Sequence, residues 1–268
     1  MADSNILAFT EITTMGGDEM MYLVDDPTGS PADRKGTVSN LATSIAALAD
    51  FITAVVAFVA WQPITATWTR TGNFTFTVTG DVTATYEKGV RVRYKDGGAF
   101  EYGVVGSSSY SAPNTTVTLI TNADYAMGAT TITDKSISRI SQPPGWPDYF
   151  NWAPTVVGFG VGQTPAGAIY KWRAEGKTLS LVVRQPADGT SSQNNFTLSL
   201  PFAAATITDM AWAGPAGAVD NSAILTSPSR MYIASAYTVV EIFSNYGAGA
   251  WTTSGGKRLL TGSISYQF

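Results

Sequence analysis

Glu87, Glu101, Asp148, Glu175, Asp188, Asp209, Asp220 and Glu241 are carboxylates that could do acid–base chemistry. Cleaving a glycosidic bond needs two such groups held a defined distance apart. Their spacing brings no two of them together, so no catalytic residue is assigned and the chain is expected not to be an enzyme. Histidine and cysteine are absent, which removes thiolate metal sites, disulfides, catalytic thiols and His-based triads. Gly158-Phe159-Gly160-Val161-Gly162 has the glycine density of a nucleotide loop but not the G-x-G-x-x-G spacing. Pro165 follows and no helical pattern opens there, so neither a cofactor nor a metal is expected. Asn73-Phe74-Thr75, Asn114-Thr115-Thr116 and Asn195-Phe196-Thr197 match a glycosylation acceptor, but without a secretory address they read as strand and turn residues.

The aromatic side chains offer recognition in place of catalysis. Trp146, Tyr149, Phe150 and Trp152 cluster in sequence, while Trp212 and Trp251 stand in Gly- and Ala-rich stretches that read as loops. Aromatic faces in loops bind sugar rings or anchor protein contacts. Trp146, Tyr149, Trp152, Trp212 and Trp251 are therefore candidate receptor contacts. The alternative is that they fill the core or a junction, and the dominance of large aromatics in small β-cores favours it.

Charged residues make up 13% of the chain and the net charge is −4, so there is no electrostatic footprint for nucleic acid or an anionic membrane. Asp3 stands where a secretory signal would carry Lys or Arg, and no adequate apolar stretch follows it. Residues 41–61 have the length of a membrane span, but Asp50 near the middle would cost about 2.5–3.5 kcal/mol on insertion.

Those same residues carry an unbroken heptad pattern. Val38, Leu41, Ile45, Leu48, Ile52, Val55 and Val59 alternate at spacings of three and four, and Pro63 ends the helix. Ala42, Ala49 and Val56 fall beside the seam on one side, Phe51 and Phe58 on the other. A two-stranded coil normally places charges there. The wide apolar face points to three or more chains, or to packing on another protein. Ile at a with Leu at d points instead to two strands, and an ordinary core helix is the further alternative. Before the helix, residues 1–36 read as an adaptor, with one short strand candidate at residues 20–26 and a turn at Pro27-Thr28-Gly29-Ser30-Pro31.

From Ala66 onward the period is two. Phe74, Phe76 and Val78 alternate with threonines, and Val90, Val92 and Tyr94 alternate with Arg91, Arg93 and Lys95. Asp96-Gly97-Gly98 then predicts a hairpin turn leading to Phe100, Tyr102 and Val104. Gln142-Pro143-Pro144-Gly145-Trp146-Pro147 cannot sit inside a sheet and marks a boundary. Strand candidates resume beyond it and continue to Phe268, at a spacing that suggests a sandwich or jelly roll. The expected fold is mainly β: an attachment segment (1–36), a short helical stalk (37–62), a small antiparallel β-domain (63–141) and a C-terminal β-sandwich or jelly-roll-like domain (142–268).

In this order the segments resemble bacteriophage virion fibres, that is, tail fibres, receptor-binding proteins and head fibres. Three stretches carry the likeness. Tyr22-Leu23-Val24-Asp25-Asp26-Pro27 through Lys35-Gly36-Thr37-Val38-Ser39-Asn40-Leu41 resembles the attachment end of such proteins. Phe74-Thr75-Phe76-Thr77-Val78-Thr79-Gly80-Asp81-Val82, with Lys88-Gly89-Val90-Arg91-Val92-Arg93-Tyr94, is similar to a small β-module that recurs in them. Phe196-Thr197-Leu198-Ser199-Leu200-Pro201-Phe202 and Gly262-Ser263-Ile264-Ser265-Tyr266 resemble their terminal sandwich. The resemblance implies a homotrimeric, coiled-coil-like stalk, location in the virion, and residues 1–36 bound to other virion proteins. It also implies a C-terminal domain that binds a host-surface glycan or protein. A purely structural head fibre, decoration or joining protein is the alternative. The family has no fixed catalytic or binding residues to carry over.

Overall fold

Residues 20–23, 34–37, 43, 45–50, 55, 60–128, 131–158, 167–189, 196–253 and 255–268 are described by the computed structural model. The chain is mainly β, with antiparallel sheets and one short helix, and divides into two units, Met1–Val59 and Ala60–Phe268.

In the first unit β1 (Met20–Leu23) pairs antiparallel with β2 (Arg34–Thr37), Met20 lying opposite Thr37 and Leu23 opposite Arg34. The sequence pointed to the first of these strands and not to its partner. A lone strand leaves a row of backbone donors and acceptors to be paired, and β2 pairs them. Thr43, residues 45–50, Val55 and Ala60 are helical. Of the predicted seam, Val38, Leu41, Ile52 and Val59 lie outside the described residues. Ile45, Leu48 and Val55 lie within them and are 59%, 57% and 40% exposed. Among the described residues, no helix is long and apolar enough to cross a membrane.

The second unit begins with a seven-stranded sheet. Its strands are β3 (Gln62–Pro63), β4 (Thr69–Gly72), β5 (Thr75–Thr79), β6 (Arg91–Asp96), β7 (Ala99–Ser111), β8 (Asn114–Leu119) and β9 (Ile132–Ser138), in the order β3-β9-β6-β7-β8-β5-β4. The expected hairpin at Asp96-Gly97-Gly98 joins β6 to β7, with both glycines at positive φ. The first half of β7 pairs with β6 and the second half with β8; the register shifts between Val105 and Ser107. Alternation buries Phe76, Val78, Val92, Tyr94, Val117 and Leu119 around Trp68. Trp68 stacks on Phe76 at 4.0 Å, and its Nε1 donates to the Tyr86 hydroxyl at 2.7 Å. Burial pushes that hydroxyl up to about 12.

The remaining strands are β10 (Phe150–Asn151), β11 (Val156–Val157), β12 (Ile169–Glu175), β13 (Thr178–Gly189), β14 (Phe196–Ser199), β15 (Ala211–Asp220), β16 (Ala223–Ile224), β17 (Ser229–Ala234), β18 (Val239–Phe243) and β19 (Lys257–Gln267). They run β10-β12-β13-β19-β15-β17-β18-β14-β11, with β16 paired to β15. The stretch around Trp212, which reads as a loop, is instead the interior strand β15. Its small residues suit it to that place: a Cβ on Gly214 would lie 2.1 Å from the Ser263 carbonyl oxygen, so only glycine lets the two backbones come so close.

Inward residues from both ends of this sheet share one core, including Trp172, Leu179, Leu181 and Tyr266 from one end and Phe196, Leu198, Ile233 and Ile242 from the other. Val104 of β7 and Ile120, the residue after β8, join the same core. Trp172 Nε1 donates to the Thr121 carbonyl at 3.0 Å, so a hydrogen bond accompanies the apolar contact between the sheets. The Pro-rich stretch at 142–147 is coil between β9 and β10, where the Pro144 carbonyl accepts the Trp61 indole N–H at 2.9 Å.

Candidate functional site

An open groove of about 470 Å³ lies over the outward face of β12, β13, β19 and β15, with Tyr149 at its rim. Strand alternation positions its side chains. In β12 the residues Tyr170, Trp172 and Ala174 are buried, which turns Lys171, Arg173 and Glu175 to solvent. In β13 and β19 the same rule buries Leu181 and Ile264 and turns Ser180, half-buried, and Ser265, exposed, to the opposite face. Those two serines are direct cross-strand partners, and their hydroxyls are 2.8 Å apart. The Arg173 guanidinium lies 5.6 Å from the centroid of the Tyr149 ring, a cation–π contact. Arg173 also pairs with Glu175 at 3.2 Å, but both side chains are largely in water and such a pair is weak. Ala213 and Pro215 of β15 form the far wall.

An aromatic face, a cation and a row of hydroxyls above a floor of small residues can hold a sugar ring. A sugar ring seated there would meet Tyr149 with its apolar face and the serine hydroxyls with its own. A carboxylated or sulfated sugar would in addition meet the Arg173 guanidinium.

The other predicted contacts stand differently. Trp152 and Trp251 are 5% and 3% exposed, and their indole N–H groups donate to the carbonyls of Ser199 and Ile242. They fill the core. Trp212 is half-buried with its ring edge-on to Tyr266 at 6.3 Å. Trp146 is half-buried among Trp61, Tyr102 and Phe150, with Arg91 5.8 Å above its ring. Tyr149 alone of the five is exposed. Arg173, Ser180 and Ser265 had no sequence signal beyond alternation, and the strand register that joins them to Tyr149 is not local.

Glu87 pairs with Arg139 at 2.7 Å and Glu175 with Arg173. Asp220 is buried and accepts from the Thr252 N–H at 2.9 Å and its hydroxyl at 2.7 Å. Glu101 is held above the ordinary carboxylate range by burial and by neighbouring Asp96. The Asp188 side chain, Asn195 and residues 159–162 of the glycine-rich loop lie outside the described part. Among the described residues, no group of three carboxylates could hold a metal ion. No family model, curated protein or solved structure matches this chain.

Proposed function

We propose that the chain is a structural appendage of a bacteriophage virion, a homotrimeric fibre. In this reading residues 1–36 attach to the particle, the heptad helix joins three chains as a coiled-coil-like stalk, and the C-terminal strands form a β-sandwich that binds a host-surface glycan. The observation that carries it is the exposure of the helical residues Ile45, Leu48 and Val55. Each such side chain gains about 1.5–3 kcal/mol when fully buried, so a stripe of them is stable against sister helices and costly in water. Three equivalent grooves then act together, and avidity raises the net affinity by about 10²–10⁴ over one site.

Native mass in solution tests the assembly. The full chain is expected at three times the chain mass, and Ile45→Asp with Leu48→Asp at one chain mass, because each substitution would bury a carboxylate in the seam. A wild-type protein that is stable at one chain mass at working concentration overturns the trimer.

Binding of the labelled full chain to host-envelope glycans tests the groove. Tyr149→Ala and Arg173→Gln are each expected to weaken binding about tenfold. Both residues are exposed, so stability should change by no more than about 0.5 kcal/mol. Unchanged glycan binding in both variants removes the groove from the contact. Failure of the wild-type chain to bind any host surface, beside tight binding to capsid or neck proteins, assigns it the purely structural role.

A further inference from the structure

Away from the Tyr149 groove, a smaller cavity of about 210 Å³ opens where three segments meet. Glu87, Lys88 and Gly89 precede β6, and Arg91 begins it; Arg139 follows β9; Lys177 sits in the β12–β13 turn. Four cations therefore line one cavity with a single carboxylate, in a chain whose overall charge is −4.

Arg91 is 2% exposed, and its two terminal nitrogens donate to the carbonyls of Gly89 and Ala174. Its Nε is buried with no hydrogen-bond partner. Burial lowers the guanidinium pKa from its usual value, and the charge of Glu175 opposes that. Glu175 itself is paired with Arg173. The cavity wall is tight: Gly89 has φ +90°, and a Cβ there would lie 2.7 Å from the Gly176 carbonyl oxygen. Lys177 is exposed, and Lys88 is half-buried with its Nζ 5.7 Å from the Phe268 ring centroid. The Arg139–Glu87 pair has side chains 56% and 59% exposed, so it is weak and exchangeable.

Four converging cations outnumber the Glu87 carboxylate in the cavity and the Glu175 charge that reaches Arg91, and this excess favours an anion, because a buried charge that is incompletely countered is costly. The volume is below the roughly 300–1,000 Å³ of pockets that enclose a whole drug-sized ligand. One charged group fits, and several cations suit a dianion better than a carboxylate. We propose that this cavity binds a phosphate group. Lys88 and Lys177 contact its oxygens, Arg91 supplies a fixed positive charge in the wall, and Arg139 joins when the phosphate displaces Glu87. The site is independent of the fibre assignment and of the groove.

Calorimetric titration of the full chain at low ionic strength tests this with inorganic phosphate, glucose 6-phosphate and glucose. Both phosphates are expected to bind and glucose is not. Lys177→Gln and Lys88→Gln should each weaken phosphate binding about tenfold. Lys177 is an exposed turn residue, so its variant keeps the fold and stands as a test even where the Lys88 variant does not. Tighter binding of glucose 6-phosphate than of inorganic phosphate identifies a sugar-borne phosphate as the ligand; equal binding identifies the free ion. Absence of heat with either phosphate overturns the proposal, as does unchanged phosphate affinity in the Lys177 variant.

Discussion

Trp172→Ala is expected to destabilise the unit Ala60–Phe268 by about 3–5 kcal/mol. The side chain is fully buried, stacks on Phe150 with ring centroids 4.4 Å apart and planes 11° apart, and lies in the core shared by both sheets. Its removal leaves a cavity the size of an indole and orphans the Thr121 carbonyl that its N–H satisfies. A total stability of roughly 5–15 kcal/mol is usual for a domain, so the variant should unfold well below the wild-type midpoint. Trp172→Phe keeps most of the stack and loses the hydrogen bond, and should cost about 1–2 kcal/mol. Urea denaturation followed by circular dichroism separates these values. A loss under about 1 kcal/mol for the alanine variant would mean that the core is not packed around this ring.

The second large effect is set by backbone proximity. Gly214→Ala puts a methyl 2.1 Å from the Ser263 carbonyl oxygen and 3.1 Å from the Ile264 Cα, and backbone atoms of an interior strand cannot swing aside. Overpacking of this kind costs about 1–3 kcal/mol, and here the upper end is expected. Gly217 lies on the same strand, yet a Cβ there meets only the Thr261 methyl at 3.7 Å. Gly217→Ala should be neutral or stabilise by up to about 1 kcal/mol, because alanine restricts the unfolded chain. Thermal melts of the pair show a lowered midpoint for Gly214→Ala and an unchanged or raised one for Gly217→Ala when β15 and β19 pack as described. Equal shifts in the two variants would contradict that packing.

Strands with one face of large side chains were legible from sequence. Residues 90–104 alternate apolar and polar and are broken by Asp96-Gly97-Gly98, and they cover β6, the turn and the first part of β7, up to Val104. The Leu259–Phe268 stretch alternates likewise and is β19 within two residues at its start. Burial of one face imposes that period, so the pattern is written locally. β15 was not legible. Ala211 to Asp220 is mostly alanine, glycine and proline, and at Gly214 a neighbouring backbone occupies the space a side chain would need. A close approach is a property of two segments, and one segment does not display it.

The recognition residues divide in the same way. The sequence determined that this chain is rich in aromatics, mainly β, and without the histidine and cysteine that much enzyme chemistry uses. It also set out the heptad stripe through Ile45, Leu48 and Val55, a periodicity that belongs to one helix. Only the tertiary structure decided which aromatics remain available: Trp152 and Trp251 went into the core, while Tyr149 stayed at the surface beside Arg173. Tertiary structure alone also set Ser180 against Ser265, 85 residues apart, and brought Lys88, Arg91, Arg139 and Lys177 around one cavity. The reason is physical. Which face of a strand is apolar is encoded along the strand, but which strand lies beside it is settled by the packing of the whole sheet.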